Sequence, residues 1–251
     1  MYRKRGVRTV ENKGSYYEKI VVTRGIIEVT RYERLNTKGG GKREGNGDHK
    51  ENNYKQTQKR RRTKIRQLIT ENFDENSKFI TLTFDNNRSF DIKNVKECNK
   101  AYKAFVRKLK ARYTDLQYVA VVEFQDKNDR GAVHYHMICN LPYIKKKELS
   151  DIWDNGFVKI NAIDKVDNVG AYVVKYMNKD IDDTRLQGLK AYNCSKGLKR
   201  PQELKSWVDE HVPYIRQVEK LIEAKSPSYA ATYESDNAGT IDYMQYNLNR
   251  L

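Results

Sequence analysis

Two runs of strand-forming residues, Tyr118 to Phe124 and Ala132 to Asn140, lie on either side of a polar loop that ends in Arg130-Gly131. So close a connection makes an antiparallel hairpin, since parallel neighbours need a long crossover. What surrounds this hairpin changes period repeatedly. Phe79-Ile-Thr-Leu-Thr-Phe84 alternates apolar and hydroxyl residues and runs into an Asp-Asn-Asn turn, as a half-buried strand does. Val95, Cys98, Tyr102, Phe105 and Leu109 recur at three and four, which marks an amphipathic helix. A helix at Lys146 to Trp153, a short strand at Phe157 to Ile163 and a helix carrying Gly170-Ala-Tyr-Val-Val-Lys-Tyr-Met-Asn-Lys-Asp180 follow. Strand, helix, hairpin, helix, strand, helix implies an α+β domain with helices on a mainly antiparallel sheet.

Ahead of that domain, residues 16–33 suggest a short hairpin around Gly25, and Asn36 to Asn53, nearly devoid of apolar side chains, reads as a flexible linker. Tyr54 to Phe73 reads as a helix with Ile65, Leu68, Ile69 and Phe73 on one side. After Pro201 a helical stretch is expected to about Ala224, interrupted at Pro213. The expected division is therefore a basic hairpin and linker over 1–53, a main domain over 54–200, and a helical extension and tail over 201–251.

Charge is unevenly spread. Residues 1–66 hold 20 Lys+Arg against 7 Asp+Glu, while the rest hold 29 against 26, so the front quarter carries most of the net +16. A polyanion is the partner such a segment suits, and Arg60, Arg61, Arg62, Lys64 and Arg66 are the candidate phosphate contacts; the plain alternative is a solvated helix face. Cys98, Cys139 and Cys194 are odd in number, far apart and in no CxxC arrangement, which argues against a disulfide framework or a zinc knuckle and fits a reducing cytoplasm. No apolar run approaches the roughly 20 residues needed to span a bilayer, so no membrane association is expected.

His134 and His136 are two apart on a strand and share a face. If the hairpin turns through Lys127 to Arg130, Glu123 falls opposite His134 on that same face, with Gln125 as the competing third ligand. Two imidazoles and a carboxylate with open positions suit a catalytic Mn²⁺ or Mg²⁺ better than a closed zinc site. The plain alternative is a strand that exposes two histidines.

On the last helix, Tyr172, Lys175, Tyr176 and Lys179 fall within a stripe about 100° wide, leaving Ala171, Val174, Met177 and Ile181 to pack on the sheet. A phenol with an ordinary pKa near 10 needs help to act as a nucleophile, and a divalent ion with a neighbouring lysine can supply it. The plain alternative is packing of Tyr at i and i+4.

These residues resemble the HUH endonucleases, specifically the rolling-circle replication initiators of small plasmids and phages. Phe79-Ile-Thr-Leu-Thr-Phe84 looks like the family's first motif, His134-Tyr-His136 like its metal-binding motif, and Tyr172-Val-Val-Lys-Tyr-Met-Asn-Lys179 like its third, in that order. Ile152-Trp-Asp-Asn-Gly-Phe157 and Ser195-Lys-Gly-Leu-Lys-Arg-Pro201 also look family-like. The resemblance implies an RRM-like central antiparallel sheet with flanking helices and a divalent ion held by the histidines and an acidic or amide residue. It further implies a tyrosine that attacks one strand at an origin, usually single-stranded DNA in a hairpin. That tyrosine stays joined to the 5′ phosphate and frees a 3′ hydroxyl for priming. Tyr176 with Lys179 and Asp180 fits the one-tyrosine form, and Tyr172 opens the two-tyrosine form.

The sequence contains no GxxxxGK[ST] phosphate loop, so unwinding falls to a host helicase, and extension to a host polymerase, in the bacterial cytoplasm. Two other readings compete: an HUH transposase or relaxase, and a non-catalytic RRM-like binder of single strands. Relaxases usually carry three histidines and a tyrosine near the N-terminus, unlike this chain. A binder has no use for Glu123, His134, His136 and the Tyr/Lys stripe together.

Overall fold

The computed structural model describes residues 15–37, 48–126, 130–163, 168–177, 183–186, 188–190, 192–207, 218, 220–223, 225–235 and 238–249. The chain divides into two compact units, one of Glu51–Arg200 and one of Met1–Lys50 with Pro201–Leu251.

In the first unit, helix α1 (Asp48–Asn72) leads into strand β3 (Lys78–Thr83), helix α2 (Val95–Arg112), the hairpin β4 (Tyr118–Gln125) and β5 (Ala132–Cys139), helix α3 (Lys146–Trp153), strand β6 (Val158–Ala162), helix α4 (Val169–Met177) and strand β7 (Tyr192–Cys194). The strands make one sheet in the order β6-β3-β5-β4-β7, and every pairing is antiparallel. This is the α+β class the sequence implies, a central antiparallel sheet with helices on both faces.

Strand alternation gives the sheet two apolar sides. Ile80, Leu82, Val122, Phe124, Val133, Tyr135 and Met137 face α2 and α3, where Cys98, Tyr102, Phe105, Leu109, Leu149 and Trp153 complete one core. Phe79, Val119, Val121 and Ile138 face the other way, onto Ile65, Leu68, Ile69 and Phe73 of α1 and Val169, Val173 and Val174 of α4. Helix α2 starts where Asn94 accepts from the Lys96 and Glu97 backbone N–H groups, satisfying donors that the first turn leaves open.

The turn after α3 explains Ile152-Trp-Asp-Asn-Gly-Phe157. Asp154 is left-handed (φ 48°), and Gly156, at φ 146°, lets the chain lie against the end of β3. A Cβ there would stand 2.4 Å from the Thr83 carbonyl oxygen. The approach lets Thr83 N donate to Phe157 O (2.9 Å) and Asp85 N to Asn155 O (2.8 Å), while the Trp153 indole donates to Thr83 O (3.1 Å). Ser195-Lys-Gly-Leu-Lys-Arg-Pro201 is also structural in its contacts. Ser195 pairs with Tyr118, and Lys199 exchanges two hydrogen bonds with the Asn72 side chain at the end of α1.

In the second unit, strands β1 (Ser15–Thr23) and β2 (Ile26–Thr37) form the expected hairpin. The helical extension expected after Pro201 is corrected by the structure. Strand β8 (Gln202–Trp207) pairs with β1, and the hairpin of β9 (Tyr229–Ser235) and β10 (Gly239–Asn247) pairs with β2, giving a five-stranded antiparallel sheet β8-β1-β2-β10-β9. The two ends of the chain are thus one sheet rather than separate appendages. Leu204 meets Ile20 across the ladder in an apolar cluster with Ile27, Val29, Met244 and Tyr246, while Glu203 turns the other way to Lys19 (3.2 Å). A partner so far away in sequence, not local propensity, decides this strand. Helical residues in this stretch are described at 218 and 220–223, and Pro213 lies outside the described residues. The expected linker is also shorter: β2 runs to Thr37, α1 begins at Asp48, and 38–47 lie outside the described residues. No described helix is long and apolar enough to cross a membrane.

Candidate active site

On the α1/α4 face of the first sheet, β5 presents His134 and His136, and β4 sets Glu123 directly opposite His134, the register that the hairpin length implies. The turn itself, 127–129, lies outside the described residues. On the other flank of β5, Thr81 of β3 stands opposite His136 and Thr83 opposite His134. Polar groups from three adjacent strands therefore meet on one face.

The two imidazoles sit differently. His136 is buried, its Nε2 in direct contact with the Glu123 carboxylate and its Nδ1 3.1 Å from Thr81 Oγ1; the Phe79 ring stacks on it at 5.6 Å between centroids. His134 Nε2 is buried and meets no hydrogen-bond partner. Burial first, then the neighbouring His136, pulls this imidazole down to about 4; Glu123 opposes and Arg130 adds to the effect, so the ring is neutral near pH 7 with its lone pair available. Among the described residues no group of three or more His, Cys, Asp or Glu stands as a metal cluster, since the Glu123 carboxylate is closed onto His136. Gln125, the competing ligand, is already engaged: its Oε1 accepts from Arg130, whose guanidinium also donates to Phe84 O (2.6 Å) and Asn86 Oδ1 (3.2 Å).

Helix α4 packs over β4 and β5 on this same face. Asn168 caps it by accepting from Ala171 N (2.9 Å). Its buried stripe differs from the expected one. Val169, Val173 and Val174 are buried, whereas Ala171 is only half-buried, and Tyr172 lies beside that stripe, partly buried against the cluster that contains Phe79. The cause is Gly170, which lets α4 touch α1: a Cβ there would stand 2.1 Å from Thr70 Oγ1 and 2.7 Å from the Arg66 carbonyl oxygen. That approach turns the 169/170/173 side of the helix inward. Lys175 and Tyr176 belong to α4, but their side chains, with Met177's, and all of Lys179, Asp180 and Ile181 lie outside the described residues.

The basic run lies on α1, whose Ile65, Leu68 and Ile69 pack on the histidine-bearing face of the sheet. Arg60 and Lys64 are exposed, while Arg61, Arg62 and Arg66 are half-buried. Sequence reasoning missed Thr81 and Phe79 as neighbours of His136. Their alternation shows that they share a face, but not which residue of β5 they meet. On the far side of the sheet edge, Arg185 stacks over Phe124 (3.7 Å) and pairs with Asp126 (2.8 Å) and Asp183 (2.6 Å), fixing the segment after the tyrosine helix to the end of β4.

Residues 77–181 match the model of one protein family, the replication-associated proteins of the ORF2 type. The matched stretch runs from β3 through α4, so it takes in Thr81, Glu123, His134, His136 and the Tyr/Lys helix, and leaves out the basic run of α1. No curated protein and no solved structure matches the chain.

Proposed function

We infer that this protein is a rolling-circle replication initiator of the HUH kind, which nicks one DNA strand at an origin and later rejoins strands. The observation that carries the reading is the assembly on one sheet face of Glu123, His134 and His136, with a helix bearing Tyr172 and Tyr176 packed over the same strands. The match of this stretch to a replication-associated family supports it.

The donor set fits a divalent ion. His134 offers a buried, unpartnered nitrogen, His136 Nε2 points toward the same carboxylate, and Glu123 supplies hard oxygen, a mixture suited to Mn²⁺ or Mg²⁺. Such an ion, held by Glu123, His134 and His136, would polarise the scissile phosphate. The remaining work falls to the chain itself. A tyrosine oxygen of α4 attacks the phosphorus, the bond to the 3′ oxygen breaks, and that oxygen takes up a proton to leave as the priming 3′ hydroxyl. The tyrosine gives up its own proton and remains joined to the 5′ phosphate. Lys175 and Lys179, on the tyrosine side of the helix, screen the charge that develops. Arg60, Arg61, Arg62, Lys64 and Arg66 hold the strand's phosphates without reading its sequence. The substrate is single-stranded DNA exposed in an origin hairpin, and a host helicase and polymerase in the bacterial cytoplasm unwind and extend it.

The test is detection of a covalent adduct on a denaturing gel. The protein is mixed with Mn²⁺ and 3′-labelled single-stranded DNA from the replicon that encodes it, beside the variants Tyr172→Phe and Tyr176→Phe. A metal-dependent band of retarded protein-bound label is expected, and the variant that abolishes it names the nucleophile. Tight binding that survives EDTA with no adduct on any fragment would instead favour a single-strand binder without chemistry.

A further inference from the structure

His136 is held at both nitrogens and on its ring face. Nε2 meets Glu123, Nδ1 meets Thr81 Oγ1 at 3.1 Å, and Phe79 lies nearly parallel to the ring, 5° between planes. Both Phe79 and Thr81 come from the face of β3 that borders β5, where Thr81 is the ladder partner of His136. A neutral imidazole carries one N–H, so its two nitrogens cannot both accept or both donate.

We propose that Thr81 is a positioning residue for the candidate metal centre, its hydroxyl serving as a two-way partner that lets His136 exchange tautomers without turning its ring. When Nε2–H donates to Glu123, Nδ1 is an acceptor and the Thr81 hydroxyl donates to it. When Nε2 gives its lone pair to a divalent cation, the proton must sit on Nδ1, and the same hydroxyl oxygen accepts it. Only rotation about the Cβ–Oγ1 bond separates the two arrangements. A carboxylate at this position could only accept and would pin one tautomer; a valine could do neither. Phe79 keeps the ring plane fixed during the exchange. Partners of a ligand's second nitrogen act in this way on metal affinity, typically 10- to 100-fold.

The inference rests on the metal reading above, and its test separates the two. Mn²⁺ binding to the full chain is measured by titration calorimetry for wild type, Thr81→Val, Thr81→Ser, Thr81→Ala and His136→Ala, with thermal unfolding as a check on the fold. Thr81→Val, or Thr81→Ala should the valine variant not fold, is expected to bind Mn²⁺ about 10- to 100-fold more weakly. Thr81→Ser, which restores the hydroxyl, stays near wild type. Nitrogen-15 spectra of His136 supply a readout that a merely structural threonine would not move. Added Mg²⁺ should shift the ring from the Nε2–H to the Nδ1–H form in wild type and in Thr81→Ser, and not in Thr81→Val. Unchanged Mn²⁺ affinity in Thr81→Val and Thr81→Ala, with binding lost in His136→Ala, would overturn the role of Thr81 and leave the metal centre standing. No Mn²⁺ binding by wild type would overturn both.

Discussion

Gly170→Ala is the substitution whose consequences the structure fixes most closely. The added methyl would lie 2.1 Å from Thr70 Oγ1 and 2.7 Å from the Arg66 carbonyl oxygen, where ordinary contact begins near 3.4 Å. Thr70 can swing away at the loss of its hydrogen bond to Arg66 O (2.9 Å), but a backbone carbonyl cannot. One helix must therefore retreat from the other by about 0.7 Å, a strain of the kind that costs ~1–3 kcal/mol in a packed interior. Alanine's better helix propensity returns about 1 kcal/mol. The net expectation is a loss of roughly 0–2 kcal/mol, read by urea denaturation in a Trp207→Phe background so that the buried Trp153 reports the unit that holds the site. The displacement should matter more for chemistry than for stability. A shift approaching 1 Å of the helix that carries the tyrosines lowers the rate of adduct formation by up to about 100-fold. Adding Thr70→Ala removes one of the two obstacles and should recover part of both losses. A Gly170→Ala protein more stable than wild type by the full ~1 kcal/mol of propensity, with an unchanged adduct rate, would refute the close approach of α4 to α1.

Gly156→Ala should be worse tolerated, because the new Cβ meets backbone on every side, 2.4 Å from Thr83 O and 2.5 Å from Asp85 N, at a φ that side chains rarely adopt; a loss of about 2–4 kcal/mol in the same urea assay is expected, and one below ~0.5 kcal/mol would refute the packing of that turn on β3. Replacing Arg60, Arg61 and Arg62 together by Gln should weaken binding to single strands of any sequence alike. It should also flatten the salt dependence of log K by roughly 2 of slope if all three contact phosphate; an unchanged slope would return the run to a solvated helix face.

Local features were the ones legible in the sequence. The β4 and β5 strands are joined by a short loop, so counting back from the turn is enough to set Glu123 against His134. The stripe Val95, Cys98, Tyr102, Phe105 and Leu109 repeats within a single helix, and all five are buried. What was hidden depended on partners remote in the chain. Thr81 and His136 are 55 residues apart, and no periodicity in either strand announces their register. The rotation of α4 is set by Thr70 and Arg66 on α1, so the face of Val169 and Val173 could not be separated from that of Ala171 and Val174 by spacing alone. Strand β8 has a weakly alternating sequence, and its identity as a strand comes from β1.

That pairing also orders events during synthesis. The β1–β2 hairpin emerges first, but Ile20 must wait for Leu204, and Val29 for Met244, before either of its edges is covered. At roughly 5–20 residues per second the interval is on the order of ten seconds or more, and a lone two-stranded ribbon is at best marginally stable in water. Residues Glu51–Arg200 contain all the strands of their own sheet and can condense while the hairpin is still alone. The unit bearing the candidate site is therefore free to mature before the chain's two ends are sewn together, and the ribosome's release of the last strand, not the formation of the site, is the final step of folding.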